Sequence, residues 1–308
     1  MPAGRFAPSP TGPLHVGNLR TAVLAWLFAR AGGSPFLIRI EDLDRVASRE
    51  AHVQSHLDDL AAFGIESDGP VVRQSGRFDR YEAALARLDA EGLLYPCYCT
   101  RREVQAAVAA PHGPLPEGTY PGTCRELGPA ERAAREAGGR RPAWRVRAGG
   151  ERVEAVDRRL GTVAAEVDDF VVRRADGAPA YQVAVVVDDH DQGVEEVVRG
   201  DDLLDTTPRQ VWLARRLGLD VPAYAHVPLV LGPDGERLAK RHGAVTLADL
   251  RRRGVPAHAV LGAIAASLGL ARPGSQVRSV TELVTTFDPR RLPAEPWRFR
   301  PDTLAVKM

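Results

Sequence analysis

The chain opens with short apolar runs alternating with amphipathic segments. Arg5, Phe6 and Ala7 lead as a predicted strand into a loop of Pro8, Ser9, Pro10, Thr11, Gly12 and Pro13. From Asn18 to Arg30, apolar residues recur at Leu19, Val23, Trp26 and Leu27, a helical spacing. Phe36 to Ile40 is a short apolar strand ending at Glu41 and Asp42. Amphipathic helices are predicted from Ser48 to Leu60 and from Arg77 to Glu91. This β-α-β-α order predicts an α/β fold, an open parallel sheet with helices on its faces.

From Tyr95 to about Arg147 the texture changes. This stretch is rich in Pro, Gly and Arg, holds every cysteine of the chain and has little periodicity, so it reads as an insertion on the main sheet. The pattern resumes near Asp168, with Phe170 to Val172 and Tyr181 to Val187 as predicted buried strands. Asp202 to Leu217 follows as a helix containing Pro208. Val227 to Leu231 is a further strand, and Gly232-Pro233-Asp234-Gly235 a turn. The expected division is therefore residues 1–94 and 166–241 as two halves of one catalytic domain, 95–165 as the insertion, and 242–308 as a helical C-terminal region. There is no internal repeat and no low-complexity tract.

Composition narrows the class. Hydrophobic content of 44% and charged content of 26% suit a globular protein. The longest apolar run, Ala22 to Ala29, is far short of the ~20 residues of a membrane span. No basic segment followed by an apolar one opens the chain, so a cytoplasmic protein without a membrane partner is expected. The 3 cysteines are clustered and odd in number, which does not suit a disulfide framework. The 41 Lys+Arg nearly balance 40 Asp+Glu, but a nucleic-acid partner needs only a local basic face. Among those cations Lys240 and Lys307 are the lone lysines, and Lys307 sits next to the terminal residue. Lys240 is therefore singled out.

Three constellations carry chemistry. First, the proline-rich loop and His15-Val16-Gly17-Asn18 place an imidazole, a close-approach glycine and a helix N-terminus where a phosphate can sit. The Gly12 to Gly17 spacing is not a P-loop, because Asn18 and Leu19 replace its Lys and Ser/Thr. Second, Arg237-Leu238-Ala239-Lys240-Arg241 follows a tight turn with three positive charges, suited to a polyphosphate. Third, Cys97-x-Cys99 and Cys124 suit Zn2+, which wants a fourth ligand; His112 is one choice.

The run from Arg5 through Phe6-Ala7-Pro8-Ser9-Pro10-Thr11-Gly12-Pro13-Leu14-His15-Val16-Gly17 to Asn18 resembles the first signature of class I aminoacyl-tRNA synthetases, in the form found in glutamyl enzymes. Ile38-Arg39-Ile40-Glu41-Asp42 resembles their next motif. Val198-Arg199-Gly200-Asp201-Asp202-Leu203-Leu204 is similar to a third, and Arg237 to Arg241 to the mobile second signature, usually written KMSKS. The resemblance implies a Rossmann-type parallel sheet with a zinc-containing insertion and a short helical C-terminal region. It implies that Arg5, Phe6, Ala7, Pro8, Ser9, Glu41, Tyr181 and Arg199 receive glutamate, the arginines as cationic forks. ATP is then held by His15, Gly17, Asn18, Arg237 and Lys240, with His15, Asn18 and Lys240 in the catalytic roles. For the metal, the resemblance points to Tyr120 as partner of Cys97, Cys99 and Cys124, holding one structural Zn2+. Mg2+ is expected with ATP.

Two departures from the signature are Arg237 in place of its first lysine and Ala239 in place of its serine. Ordinary glutamyl-tRNA synthetases also continue into an anticodon-binding region, which residues 242–308 are expected to lack. The short form with Cys-x-Cys…Tyr-xxx-Cys is similar to the glutamyl-Q tRNA(Asp) subfamily. The expected partners are thus ATP, L-glutamate and queuosine-containing tRNA(Asp), and the expected state is a monomer. Arg251, Arg252, Arg253, Arg290 and Arg291 are candidates for RNA phosphate contacts. The alternatives are a truncated enzyme charging the 3′ end of tRNA(Glu) and a non-catalytic RNA-binding paralogue.

Overall fold

The computed structural model describes residues 3–108 and 119–304. In chain order the first half runs β1 (Ala3–Phe6), α1 (Val16–Ala31), β2 (Phe36–Ile40), α2 (Glu50–Ala61), β3 (Val72–Arg73) and α3 (Phe78–Ala90). Next come β4 (Leu94–Cys97), α4 (Arg101–Val108), α5 (Pro129–Ala137), β5 (Ala143–Val146), β6 (Glu151–Asp157), β7 (Gly161–Val167) and β8 (Val171–Arg173). The second half runs α6 (Tyr181–Asp191), β9 (Val194–Gly200), α7 (Thr207–Arg216), β10 (Ala223–Val227) and β11 (Val230–Leu231). It closes with α8 (Leu247–Arg252), α9 (Ala257–Ser267) and β12 (Trp297–Arg298).

The main sheet has the order β3-β2-β1-β9-β10-β6-β7. Its pairs are parallel except β6–β7, an antiparallel hairpin at one edge. β1 lies between β2 and β9, so the winding reverses direction between β1 and β9. Loops leaving the carboxyl ends of those two strands diverge and leave a crevice between them.

Each face of the sheet has its own core. On one face α1 is buried almost all round, because the sheet covers one side and α9 with the following segment covers the other. Phe28 meets Phe287 edge-on with ring centroids 5.3 Å apart. The C-terminal region thus shares one core with α1 and the main sheet. On the other face, Leu85 and Leu88 of α3, the valines of α6, and Val211 and Trp212 of α7 pack together.

The structure corrects several sequence expectations. Tyr181 to Val187 is not a strand but the start of α6. Its valine-rich run satisfies either element when buried on all sides, and periodicity cannot separate the two. Val171–Arg173 is a strand, but it joins a separate antiparallel sheet of order β4-β5-β8. Conversely β6 and β7 extend the main sheet, so sheet membership does not follow the 165/166 boundary. The strand expected from Val227 to Leu231 is interrupted at Pro228, which cannot donate to a ladder. The helix expected from Asp202 divides into a 3-10 turn, Asp201–Thr206, and α7, with Pro208 in the first turn where its missing N–H costs nothing. His112 lies outside the described residues. No helix among the described residues is long and apolar enough to cross a membrane.

Gly262 in α9 tests how tightly the C-terminal segment is docked. A Cβ there would lie 1.9 Å from the Ser275 carbonyl oxygen. Glycine to alanine in a helix interior ordinarily gains about 1 kcal/mol. Here the clash wins, so Gly262→Ala is expected to destabilise by about 1–3 kcal/mol. A lower denaturant midpoint at unchanged m-value measures it; a stabilised variant would show that residues 272–277 yield freely.

Candidate active site

A cleft of about 750 Å³ opens at the carboxyl ends of β1 and β9. Arg5 and Phe6 reach it from β1, Ala7, Pro8 and Ser9 from the loop beyond, and His15, Gly17 and Asn18 from the start of α1. Glu41 enters from the end of β2, Tyr181 from the first turn of α6, Arg199 from β9 and Arg237 from the signature loop. Lys240 begins a 3-10 turn, Lys240–His242, and its side chain lies outside the described residues. A larger cavity of about 1340 Å³ lies at the opposite, amino ends of the strands, beside Ala3, Val194 and Ala223. The switch-point geometry favours the smaller cleft.

The α1 end of the cleft is built by a reciprocal cap. His15 Nδ1 accepts from the Asn18 backbone N–H at 3.2 Å, and Asn18 Oδ1 accepts from the His15 backbone N–H at 3.1 Å. Burial pulls the His15 imidazole below its ordinary value, against the opposing effect of its own backbone hydrogen bond. The ring is therefore neutral, and because Nδ1 accepts, its proton sits on Nε2. Gly17 is required here, since a Cβ would fall 2.9 Å from the ring's Cε1 and Nδ1. The Val16 N–H donates to the Val245 carbonyl at 2.8 Å, tying the helix start to the exit of the signature loop.

The charges behind the cleft are unevenly distributed. Arg39 is fully buried and donates to Asp189 at 2.7 Å, Gln192 at 2.9 Å and Glu41 at 3.3 Å. Burial would lower its guanidinium, but Asp189, Glu41 and Asp188 push it up. Arg5 Nε also donates to Asp189, at 3.2 Å. Burial would raise the Asp189 carboxyl; Arg5 and Arg39 outweigh it and hold it below the ordinary range. Asp188 accepts from Gln74, Arg77 and Tyr81 at 2.6–3.0 Å. Burial pushes the Glu41 carboxyl up, against the pull of Arg39 and Arg5, and likewise raises the Tyr181 phenol.

Arg199 is different. It is 4% exposed and makes no ion pair within 4.0 Å among the described residues. Its acceptors are neutral: His226 Nε2 at 3.0 Å, Gln210 Oε1 at 2.7 Å, Thr207 Oγ1 at 2.8 Å and the Leu203 carbonyl at 3.3 Å. Four of its five N–H groups are thereby used. The sequence reading of Arg199 as an open fork needs correction: it offers one Nη1–H and an uncompensated charge. Neither Nη of Arg5 has a hydrogen-bond partner among the described residues, so the fork belongs to Arg5.

The signature loop is held by local contacts. Arg237 pairs with Asp202 of the third motif. The Ala239 backbone N–H donates to His242 Nδ1 at 3.0 Å, and His242 Nε2 meets Asp234 at 2.9 Å. Of the arginines expected to face RNA, Arg252 pairs with Asp249 and Arg253 with Asp302 at 3.3 Å, near the loop exit. Arg290 pairs with Asp288 at 3.0 Å and lines the cavity at the far end of the sheet, away from the cleft.

In the insertion, the Sγ atoms of Cys97, Cys99 and Cys124 all lie within 4.8 Å of one another. Tyr120 Oη is 3.3 Å from Cys97 Sγ and 3.9 Å from Cys99 Sγ, and Cys99 Sγ is 3.5 Å from Cys124 Sγ. A tetrahedron with metal–sulfur bonds near 2.3 Å has edges of about 3.8 Å. The three thiols and the phenol fit a closed zinc site in number, chemistry and spacing.

A family model described as tRNA synthetases class I (E and Q), catalytic domain, matches residues 3–306. The chain belongs to that family. It is 61% identical to the glutamyl-Q tRNA(Asp) synthetase of Nocardia farcinica, covering 96% of this chain and 92% of that one. It is 50% identical to the protein of the same name from Symbiobacterium thermophilum, covering 99% and 98%. Among solved structures, it is similar to a glutamate tRNA ligase from Elizabethkingia meningosepticum in complex with its amino acid. That likeness has a TM-score of 0.81 at 27% identity and covers 98% of this chain and 68% of the ligase.

In this class I synthetase, the sequence reading gave no role to the residues that hold the named ones in place: Arg39, quoted only as part of a motif, and Asp188, Asp189, Gln210, His226 and Asp157. Asp188 and Asp189 close an apolar run, a signal that would have pointed to the carboxyl end of a buried helix. His226 and Asp157 lie on neighbouring strands 69 positions apart, and no local pattern joins them.

The Asp189 assignment is testable by pH. Asp189→Asn strands Arg5 and leaves Arg39 with only its weaker partners Glu41 and Asp188, and is expected to cost about 3–5 kcal/mol at neutral pH. The carboxyl's folded value lies below its unfolded one, so its contribution is complete above about pH 4 and lost as pH falls through the folded value. Denaturant unfolding should show the gap to wild type narrowing on acidification; a gap that stays constant would refute the ion-pair account.

Proposed function

We propose that this protein activates L-glutamate with ATP and transfers the glutamyl group to queuosine in the anticodon loop of tRNA(Asp). The observation that carries the reading is Arg199, a buried cation with no carboxylate partner among the described residues, in one cleft with the capped start of α1. A buried charge without a counter-ion is costly, and an anionic substrate supplies the missing partner. The Arg5 Nη pair gives a glutamate carboxylate a two-pronged contact. Arg199 adds one N–H and its charge, while Glu41 and Tyr181 receive the ammonium.

ATP, with its Mg2+, places its phosphates against His15, Gly17 and Asn18, where the His15 Nε2–H and the helix N-terminus donate. The glutamate α-carboxylate attacks the α-phosphorus and the bond to the bridging oxygen breaks. Pyrophosphate leaves toward Arg237 and Lys240. A queuosine hydroxyl then attacks the glutamyl carbonyl carbon, its proton passes to an oxygen of the adenylate's own phosphate, and the acyl–phosphate bond breaks to release AMP. The protein's work is positioning and offsetting anion repulsion, with no protein nucleophile.

The test is glutamate-dependent ATP–pyrophosphate exchange without RNA, followed by transfer to tRNA(Asp) with and without queuosine and to tRNA(Glu). Exchange is expected, with glutamylation confined to queuosine-containing tRNA(Asp); Lys240→Ala is expected to slow exchange at least tenfold. Queuosine-independent charging of tRNA(Glu) would establish the truncated-synthetase reading instead. No exchange under any condition would leave only a non-catalytic protein.

Cys97, Cys99, Tyr120 and Cys124 would hold one Zn2+, which when bound cross-links β4 to the segment near Tyr120. The described part of the insertion has only a small cluster of its own, around Tyr95, Tyr98 and Tyr120. Purified protein is expected to carry about one zinc per chain. Chelation or Cys124→Ser should remove it and lower thermal stability. A metal-free protein of unchanged melting temperature would refute the structural zinc.

A further inference from the structure

His226 on β10 and Asp157 at the end of β6 are buried, 1% and 3% exposed, and neither reaches the cleft lining. Asp157 Oδ2 accepts from His226 Nδ1 at 2.7 Å and from the His226 backbone N–H at 2.9 Å. Its Oδ1 accepts from the backbone N–H groups of Arg159 and Leu160 at 2.8 and 2.9 Å. Burial alone would raise this carboxyl, but the hydrogen bonds from His226, Leu160 and Arg159 hold it below its ordinary range. An ionised carboxylate on Nδ1 places the ring proton there and leaves Nε2 bare. That bare Nε2 is the acceptor 3.0 Å from Arg199 Nε.

We propose that Asp157 and His226 are positioning residues for glutamate binding: the carboxylate selects the Nδ1–H tautomer, and the ring's Nε2 holds Arg199 by its Nε without neutralising it. This rests on the reading of the cleft as the glutamate site. The imidazole serves as a spacer. A carboxylate placed directly on Arg199 would form a two-pronged ion pair and compete with the substrate carboxylate. With the ring between them, orientation is transmitted and the positive charge stays available. Tyr224 completes the mount, its ring stacked on His226 at 6.0 Å and lying under the Arg199 guanidinium at 5.1 Å. Gln210 is oriented too, since its Nε2 donates to Gln182 at 2.8 Å and so turns its oxygen to Arg199.

A pair of substitutions separates positioning from a purely structural role. The amide of His226→Asn can still serve Asp157 but is too short to reach Arg199, whereas His226→Gln places a non-titrating oxygen near the Nε2 position. In glutamate-dependent exchange near pH 8, His226→Asn is expected to raise KM for glutamate about tenfold or more, with kcat and KM for ATP within a few-fold of wild type. His226→Gln should restore KM for glutamate to within a few-fold of wild type. Equal glutamate KM in wild type and both variants, or a loss of kcat and ATP affinity alongside it, would overturn the proposal. If His226→Asn fails to fold, the glutamate KM of His226→Gln decides alone: a value within a few-fold of wild type supports the proposal, and a rise of about tenfold or more would overturn it. A wild type without glutamate-dependent exchange would instead sink the functional reading itself, so the two failures are distinguishable.

Discussion

The site is organised by one unequal division of charge. Arg5 and Arg39 share the Asp189 carboxylate, and Arg39 also meets Glu41, so two of the three buried guanidiniums behind the crevice are compensated. Arg199 is ringed by neutral acceptors. Burying a cation without a counter-ion costs several kcal/mol in ordinary proteins, even after relaxation. The fold tolerates that cost by giving Arg199 four hydrogen bonds and the face of Tyr224, which satisfy its N–H groups without cancelling its charge. A rigid, desolvated cation is the state in which an incoming carboxylate gains most and reorganises least.

That arrangement depends on topology. Arg5 and Arg199 lie near the ends of neighbouring parallel strands because β1 and β9 are adjacent at the switch of winding direction. α1 leaves β1 on one face, so its N-terminus enters the crevice from the side opposite α6. The Val16 N–H to Val245 carbonyl bond then brings the end of the signature loop to the same helix turn. The pocket around Arg5 and Arg199, the capped start of α1 and the cationic loop thus converge through backbone geometry, with side-chain capping by His15 and Asn18 fixing the local detail.

The first half of the fold was legible because its apolar periodicities are unmixed: the predicted Phe36–Ile40 strand and the helix through Leu19, Val23 and Trp26 fall where β2 and α1 lie. Legibility failed where burial removes periodicity. The valines of α6 face neighbours on every side, so a strand and a helix read alike, and β9, whose first half carries Glu195 and Glu196, was not predicted as a strand. Site residues on contiguous motifs were readable; their supports were not. Asp157 sits on a hairpin that the expected 95–165 division placed in the insertion, and only strand order shows that β6 lies beside β10 and within reach of His226. Arg199 was readable as a cation, but its spent donors follow from side chains on α7 and β10.

The signature loop shows why two departures from its usual form need not disable it. The Ala239 backbone N–H is already satisfied by His242 Nδ1, and His242 is anchored to Asp234, so the turn is held by an imidazole and does not require a hydroxyl at position 239. Arg237 is 68% exposed in its pair with Asp202. An exposed ion pair of this kind contributes about 0–1 kcal/mol, so a polyphosphate can take Arg237 from Asp202 at little cost. A lysine would serve that exchange as well, since a point charge is all it needs. Under the proposed function position 240 would ask for more: a compact, strongly hydrated ammonium on a flexible stem would follow a departing pyrophosphate more readily than a planar fork that prefers fixed two-pronged partners. In a chain that otherwise uses arginine almost throughout, the lysine at 240 is the residue this chemistry would retain.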